Sequence, residues 1–582
     1  MRAVVADLDP EAASAAPAGA GARGAVTGTL VRWPIVLPAL LAFLVYLRAS
    51  WLGLAWDDAA LTLENPSLAS IHGLWDLWTQ ETWKASGLDE QASYYRPVAM
   101  TSFWLVARVS TSPAAHHLTN VLLHSGNAAL LALVLRRRLA APPVAAALLA
   151  SFWAVAAANS EAVLWISGRF DVLVTTFLLL AFAANAGTRR WLAPIAFACA
   201  LLTKEVAIGW ALVLVADDVV LLRRAWRERW RDWAALLALS VVYLAMRRGV
   251  GIATGDAALH ALGWAVPAFA SIAARVVAKL FVPVGLDPLQ PLRLLPTLGV
   301  VATLVALTGL GLIAAKRRRV PGSWGAGALV GLTWFALTVA PMAAIPPAEP
   351  VAGDRYGYAA SAGLCFALAA FVTALHSRPL ARLAETALSV LVVVHASLTE
   401  LHIPAWKDRE SVARSMVAAH PDDAHGHYLL GYLALERHDV VEADAELSRS
   451  LALSRSWRAL DAACVLELRR DHLDLAERYC LESGAAQPTN PRVWVNLASV
   501  YVRGGQWKQA LDAADRAVAR KPRYAEAHYL AGAAATNLGM LPLAATHVEA
   551  GLRAAPSHRE LLRLKAELER RRVLVPAAAQ PP

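Results

Sequence analysis

The stretch Ala55-Trp56-Asp57-Asp58, with Asn65-Pro66 soon after, stands just past the first membrane-length apolar run, 33–48. Two adjacent carboxylates at a membrane–water boundary are costly to hold there. Each ionised group near hydrocarbon loses hydration, and each repels the other. A chain keeps such a pair where a charge takes a proton, holds a cation or binds a cationic group. The stretch therefore predicts an enzyme working at the membrane face, carried on an all-α polytopic scaffold.

Composition supports that scaffold. The 582 residues are 57% hydrophobic and only 17% charged, with mean hydropathy +0.44, against roughly 25% charged residues in soluble domains. The long apolar runs fall within 33–402, and 403–575 has ordinary soluble, helical composition. The reading divides the chain into an Ala/Gly-rich segment 1–30, expected to be disordered, a polytopic domain 31–402, a second domain 403–575 and a tail 576–582. The N-terminal segment lacks the layout of a cleavable signal. The formal charge of +10 would ordinarily suggest nucleic acid. Here the arginines gather at the ends of apolar runs, so membrane topology accounts for them and no nucleic-acid partner is expected.

Basic clusters between spans mark the cytoplasmic side: Arg136-Arg137-Arg138, Arg189-Arg190, Arg223 to Arg231, Lys316 to Arg319, and Arg378 with Arg382. About 11 spans alternate correctly against them: 33–48, 117–135, 142–158, 170–187, 191–203, 206–222, 233–247, 298–315, 324–345, 357–375 and 383–401. Segment 264–284, apolar but carrying Arg275 and Lys279, is read as re-entrant or interfacial. This alternation puts the C-terminal domain outside. It also gathers Asp57-Asp58, Tyr95-Arg96-Pro97, His116-His117, Asn159 to Asp171, Lys204-Glu205, Arg247-Arg248 and Asp354-Arg355-Tyr356 on the outer face.

In the second domain Pro421, Arg455, Pro488, Pro522 and Pro556 follow one another at 34, 33, 34 and 34 residues. That is the period of tetratricopeptide repeats, paired helices that stack into an α-solenoid. About four repeats are expected, with a concave surface suited to peptide or protein. Cys464 and Cys480 fall on the two helices of the second repeat; they can bond if the domain is periplasmic, or simply pack in the core.

Each candidate functional residue has a plainer alternative. Asp57 and Asp58 suit a catalytic base with its orienting partner, a metal site, or an interfacial helix cap. Glu161, Arg169 and Asp171 place two acids and a guanidinium in one short loop, and can equally form a self-contained brace. Lys204-Glu205 can neutralise itself at a span end. Arg355 can hold a phosphate bidentately or snorkel to the interface. His116, His117 and His124 lack a zinc-type pattern, and no glycine-rich phosphate loop follows a strand.

Taken in order, several stretches resemble the transmembrane and tetratricopeptide-repeat-containing O-mannosyltransferase family of the GT-C glycosyltransferase superfamily. They are Trp56-Asp57-Asp58 with Asn65-Pro66, Tyr95-Arg96-Pro97, His117 to His124, Glu161-Ala162-Val163 with Gly168-Arg169-Phe170-Asp171, Lys204-Glu205, and Asp354-Arg355-Tyr356-Gly357-Tyr358. The resemblance covers about 31–575. Two departures stand out: Asp354-Arg355-Tyr356 where the family often has Glu-Arg-Tyr, and Ala158-Asn159-Ser160 before Glu161 where it usually has His-Pro. The repeat array is also short.

The resemblance implies a bacterial inner-membrane transferase with periplasmic repeats. It would move a sugar, mannose, from a polyprenyl-phosphate donor to a hydroxyl of a protein acceptor. It further implies Asp58 or Asp57 as base and Arg355 as phosphate holder, with Lys204 or Arg169 second. Glu161, Asp171, Glu205 and Arg96 complete the substrate-binding set. A divalent metal is used by some members of the superfamily and not by others. Competing readings are a lipid-linked glycan ligase or polymerase, and a non-catalytic scaffold whose repeats recruit partners.

Overall fold

The computed structural model describes residues 33–86, 94–252, 262–286, 288, 292–320, 323–343 and 353–571. Segments 1–30 and 576–582 lie outside them. The described residues are helical, with no strand among them, and the chain divides into two compact units at Val412/Ala413.

Among the described residues, eight helices of the first unit are long and apolar enough to cross a membrane, nine if the bent pair Pro143–Val155 and Ala157–Leu164 counts as one span. This corrects the count of eleven. Expected span 191–203 yields only the ten-residue helix Leu192–Leu201, half the ~20 residues a perpendicular crossing needs. Expected span 206–222 breaks into a 3-10 turn Glu205–Gly209, a short helix Trp210–Ala216 and a π-turn Asp217–Leu221. Expected span 233–247 lies within helix Trp226–Gly249, which has arginines at both ends. Conversely, 264–284, read as re-entrant, forms the continuous helix Leu262–Phe281, interrupted by neither Pro267 nor its two basic residues.

Small residues allow the closest approach between spans. Gly331 on helix Gly325–Ala343 faces Gly363 on helix Tyr358–Thr373; a Cβ on Gly331 would stand 2.6 Å from the Gly363 carbonyl oxygen. Polar groups then fasten the bundle from within. His124 bonds the Tyr358 hydroxyl at 2.7 Å and the Ala154 carbonyl at 2.8 Å. Trp153 donates to the Ser361 hydroxyl at 3.0 Å. At the other end of the bundle, the Asp217-Asp218 pair is enclosed by Arg138, Arg224, Arg229 and Asn185. Buried carboxylates need such partners.

The unit boundary falls ten residues past the expected 402/403 because the chain beyond helix Arg378–His402 still packs on the first unit. Ile403 and Trp406 are buried, and Trp406 stacks on Trp165.

In the second unit, helix pairs begin at Ala424, Trp457, Pro491 and Ala525, and Arg559–Arg570 closes the array. The period is written in one hydrogen bond. Six residues after three of these prolines a side chain donates back to the proline's carbonyl: His427 to Pro421, Trp494 to Pro488 and His528 to Pro522, at 3.0, 2.9 and 3.0 Å. In the second repeat the equivalent position is Asp461, which has no proton to give. Its carboxylate turns to the next repeat instead, accepting from Asn496 at 2.6 Å and pairing with Arg492 at 3.1 Å. The same repeat holds the Cys464–Cys480 disulfide. Closing a loop of about 15 residues contributes on the order of 3 kcal/mol. Reduction is expected to lower the denaturation midpoint of the repeats with little effect in Cys464→Ser, followed by circular dichroism with and without reductant.

Candidate active site

The loop after the first span is pinned before it reaches the acids. Gly53 donates to the Lys407 carbonyl at 2.7 Å, and His117 bonds the Gly53 carbonyl at 2.9 Å. Trp56 sits at φ +45°, a left-handed conformation that costs a bulky residue about 1–3 kcal/mol. It turns the chain so that Asp57 and Asp58 open the short helix Asp58–Leu61.

The two acids then differ. Asp58 is fully buried and saturated: one oxygen accepts from the Ala55 amide at 2.9 Å, the other from the Ser167 amide and hydroxyl at 2.9 and 2.8 Å. Asp57 is half-buried, and its Oδ1 lies buried with no hydrogen-bond partner among the described residues. Arg355 and Arg96 act on it electrostatically. Burial raises both carboxyl groups above the ordinary aspartate range. The Asp57 charge adds to the rise at Asp58, while Ser167 and Arg355 partly oppose it at Asp57.

Around Asp57 converge acids and bases from distant segments. Glu161 pairs with the Arg355 guanidinium and accepts from the Asp354 amide at 2.7 Å. Arg355 lies over the rings of Trp165 and Tyr356, each 4.6 Å away. Lys204 donates to Asp171 at 2.6 Å with its ammonium 5.4 Å from the Tyr356 ring. Burial lowers the Lys204 pKa, opposed by the charge of Asp171. Arg96 forms a bidentate pair with Glu205 at 3.1 and 2.6 Å and stacks on Tyr94 at 4.2 Å. Burial alone would raise Glu205, yet the Arg96 charge overrides it and holds the carboxyl at about 2. Gly353 lets the chain pass close to this cluster, and a Cβ there would displace the ends of the Arg355 and Glu161 side chains.

The structure thus brings together Asp57, Asp58, Arg96, Glu161, Asp171, Lys204, Glu205 and Arg355. Arg169, read with Lys204 as a second phosphate holder, lies inside the bundle. It is fully buried; its guanidinium donates to Asn120 at 2.8 Å and to the His116 carbonyl at 2.7 Å, and lies 4.2 Å from the Phe103 ring. These contacts turn it toward helix Pro113–Leu139, and its Nη1 is left with no hydrogen-bond partner among the described residues. The loop brace read for Glu161, Arg169 and Asp171 does not form either, since each pairs elsewhere.

Sequence reasoning passed over Tyr94, Trp165, Ser167 and Lys279. Lys279 pairs with both oxygens of Asp354 at 2.7 Å, and its spacing of four from Arg275 was the available signal. Among the described residues no group of three or more His, Cys, Asp or Glu is placed to hold a metal ion.

No family model matches the chain. Over 189 residues, 31% of its length, the chain is 31% identical to Protein O-mannosyl-transferase Tmtc1 of Drosophila melanogaster, matching 22% of that protein. Protein O-mannosyl-transferase TMTC4 of Homo sapiens is 25% identical over 166 residues, 26% of this chain and 22% of that protein. The matched stretches therefore span about a fifth of these relatives. Among solved structures, the first TPR of Spaghetti (RPAP3) bound to an HSP90 peptide is 24% identical, with 21% of this chain and 96% of that chain covered and a TM-score of 0.20. The Sgt2 TPR domain of Aspergillus fumigatus is 21% identical, with 22% and 89% covered and a TM-score of 0.20.

Removing one partner of a buried pair leaves an uncompensated charge and destabilises by about 3–5 kcal/mol. Arg96→Gln and Glu205→Gln are each expected to lower thermal stability in detergent, and the double variant to lose less than the sum of the two. Additive losses would show that the pair is not coupled.

Proposed function

We propose that this chain is a membrane glycosyltransferase. It transfers mannose from a polyprenyl-phosphate donor to a hydroxyl of a protein acceptor on the periplasmic side of a bacterial inner membrane. The observation that carries the reading is the unpartnered Asp57 oxygen beside Arg355 and Arg96. Asp57 takes the proton of the acceptor hydroxyl as that oxygen forms its bond to the anomeric carbon. The bond from the anomeric carbon to the lipid phosphate breaks, and negative charge grows on the departing phosphate. In this reading Arg355 and Lys204 stabilise it. Asp58, saturated by Ser167 and Ala55, positions Asp57 without touching substrate. Glu161, Asp171 and Glu205 hold the three cations at fixed places, and Arg96 fastens the loop that carries Tyr94. The repeats present the acceptor or a protein partner, and the disulfide within them suits an oxidising compartment.

The similarity to proteins named O-mannosyl-transferases favours protein over saccharide as acceptor. Transfer of radiolabelled mannose from polyprenyl-phosphate mannose by the purified protein tests the reading. Asp57→Asn is expected to lower the rate at least 100-fold, within the range general-base catalysis supplies, with unfolding temperature nearly unchanged. Equal transfer by wild type and Asp57→Asn would remove Asp57 from the chemistry. Mass spectrometry showing sugar only on saccharide would replace the acceptor.

The base must be ionised, so activity is present above its pKa and lost as pH falls through it. Because burial raises that pKa, the acid limb of the pH–rate profile is expected at least one unit above the ordinary aspartate value of about 3.9.

A further inference from the structure

Helix Arg378–His402 runs into the 3-10 turn Ile403–Trp406, with Pro404 in its first turn, before the unit boundary is reached. Three contacts tie this stretch to the cluster around Asp57. His402 bonds the Ser160 hydroxyl at 3.1 Å, beside Glu161, the partner of Arg355. Trp406 stacks on Trp165 with ring centres 6.2 Å and planes 25° apart. The Lys407 carbonyl accepts from the Gly53 amide at 2.7 Å, at the start of the loop that carries Asp57.

Trp165 has no polar anchor for its ring. It stands between the short helices Ser160–Leu164 and Ile166–Gly168, is buried, and its indole Nε1 has no hydrogen-bond partner among the described residues. Packing therefore sets the tilt of that ring. The Arg355 guanidinium lies over it at 4.6 Å, and the Trp406 indole stacks on it. Rings attract at about 4.5–7 Å between centres, and a cation over a ring face within about 6 Å. Trp406 is itself fully buried and is held by the contacts of His402 and Lys407 on its two sides. Removing its ring frees Trp165 to tilt, and the surface on which Arg355 rests tilts with it.

We infer that Trp406 is a positioning residue, which sets the place of the Arg355 guanidinium through Trp165. The inference rests on the role proposed above for Arg355 at the departing phosphate. Charge on that phosphate grows as the bond breaks, so a displaced guanidinium lowers kcat more than it raises the KM for donor. A displacement of about 1 Å costs on the order of 100-fold in rate.

The full-length protein in detergent is assayed for mannose transfer from polyprenyl-phosphate mannose, and amide hydrogen exchange is followed by mass spectrometry in the same samples. Trp406→Leu keeps an apolar side chain and removes the ring. It is expected to lower kcat by about tenfold or more, with the donor KM within about threefold of wild type. The Asp354 amide, which donates to Glu161 at 2.7 Å, is expected to exchange faster in this variant, with the peptide 360–372 unchanged. Trp406→Phe restores a flat ring and is expected to recover kcat to within about threefold of wild type. In an Arg355→Lys background, Trp406→Leu is expected to cost no more than about a further twofold, because residues acting through one another are not additive. Where Trp406→Leu is not recovered, the bulkier and adaptable Trp406→Met takes its place under the same expectations. Failure of both to fold makes Trp406 a requirement for folding alone and overturns the inference. Unchanged kcat in Trp406→Leu, unchanged exchange at Asp354, or an equal cost in both Arg355 backgrounds overturns it as well, and each leaves the proposed transfer standing. If wild type transfers no mannose, the transfer reading falls and exchange alone decides: faster exchange at Asp354 in Trp406→Leu keeps the positioning of Arg355, and unchanged exchange removes it.

Discussion

A buried charge beside a membrane must bring its own counter-ion, because neither hydrocarbon nor a dry protein interior replaces lost hydration. Four pairs meet that requirement here: Arg355 with Glu161, Lys204 with Asp171, Arg96 with Glu205, and Lys279 with Asp354. Every pair but one joins segments more than 70 residues apart, and Lys204–Asp171 joins segments 33 residues apart. The ends of separate helices are drawn together by charges that none of them can hold alone. The site is a consequence of that constraint.

Within the cluster, satisfaction separates roles that chemistry alone leaves equal. Asp57 and Asp58 are the same residue type, one bond apart in the chain. Asp58 spends its oxygens on Ser167 and Ala55, and Asp57 keeps one in reserve. A carboxylate with both oxygens engaged is a strut; one with an oxygen left bare can still accept a hydrogen bond. Arg169 shows a cation buried without an acid of its own: two of its nitrogens donate to Asn120 and the His116 carbonyl inside the bundle, and its Nη1 has no hydrogen-bond partner among the described residues.

The two units differ in how openly their sequence speaks. The repeats depend on local spacing, and a donor six residues after a proline recurs three times with the same bond. Such a pattern is visible in one dimension because each repeat touches mainly its neighbours. The spans were legible as apolar runs, but less so as crossings. Length and hydropathy suggested 206–222, whereas its end is a π-turn whose two acids pair with arginines. The basic pair on Leu262–Phe281 argued against a membrane helix until Asp354 supplied the partner for Lys279.

The sequence by itself determined the all-α class, the membrane composition of the first unit, the repeat period of the second, and a short set of polar motifs near span ends. Apolar length, helical spacing and proline period are properties of neighbouring residues, and so they can be read directly. Only the tertiary structure decided which acids meet which bases, which aspartate keeps a bare oxygen, and which arginine turns inward. Those outcomes depend on burial and on partners far along the chain, and a buried charge is neutralised by whichever group the fold brings within a few ångströms.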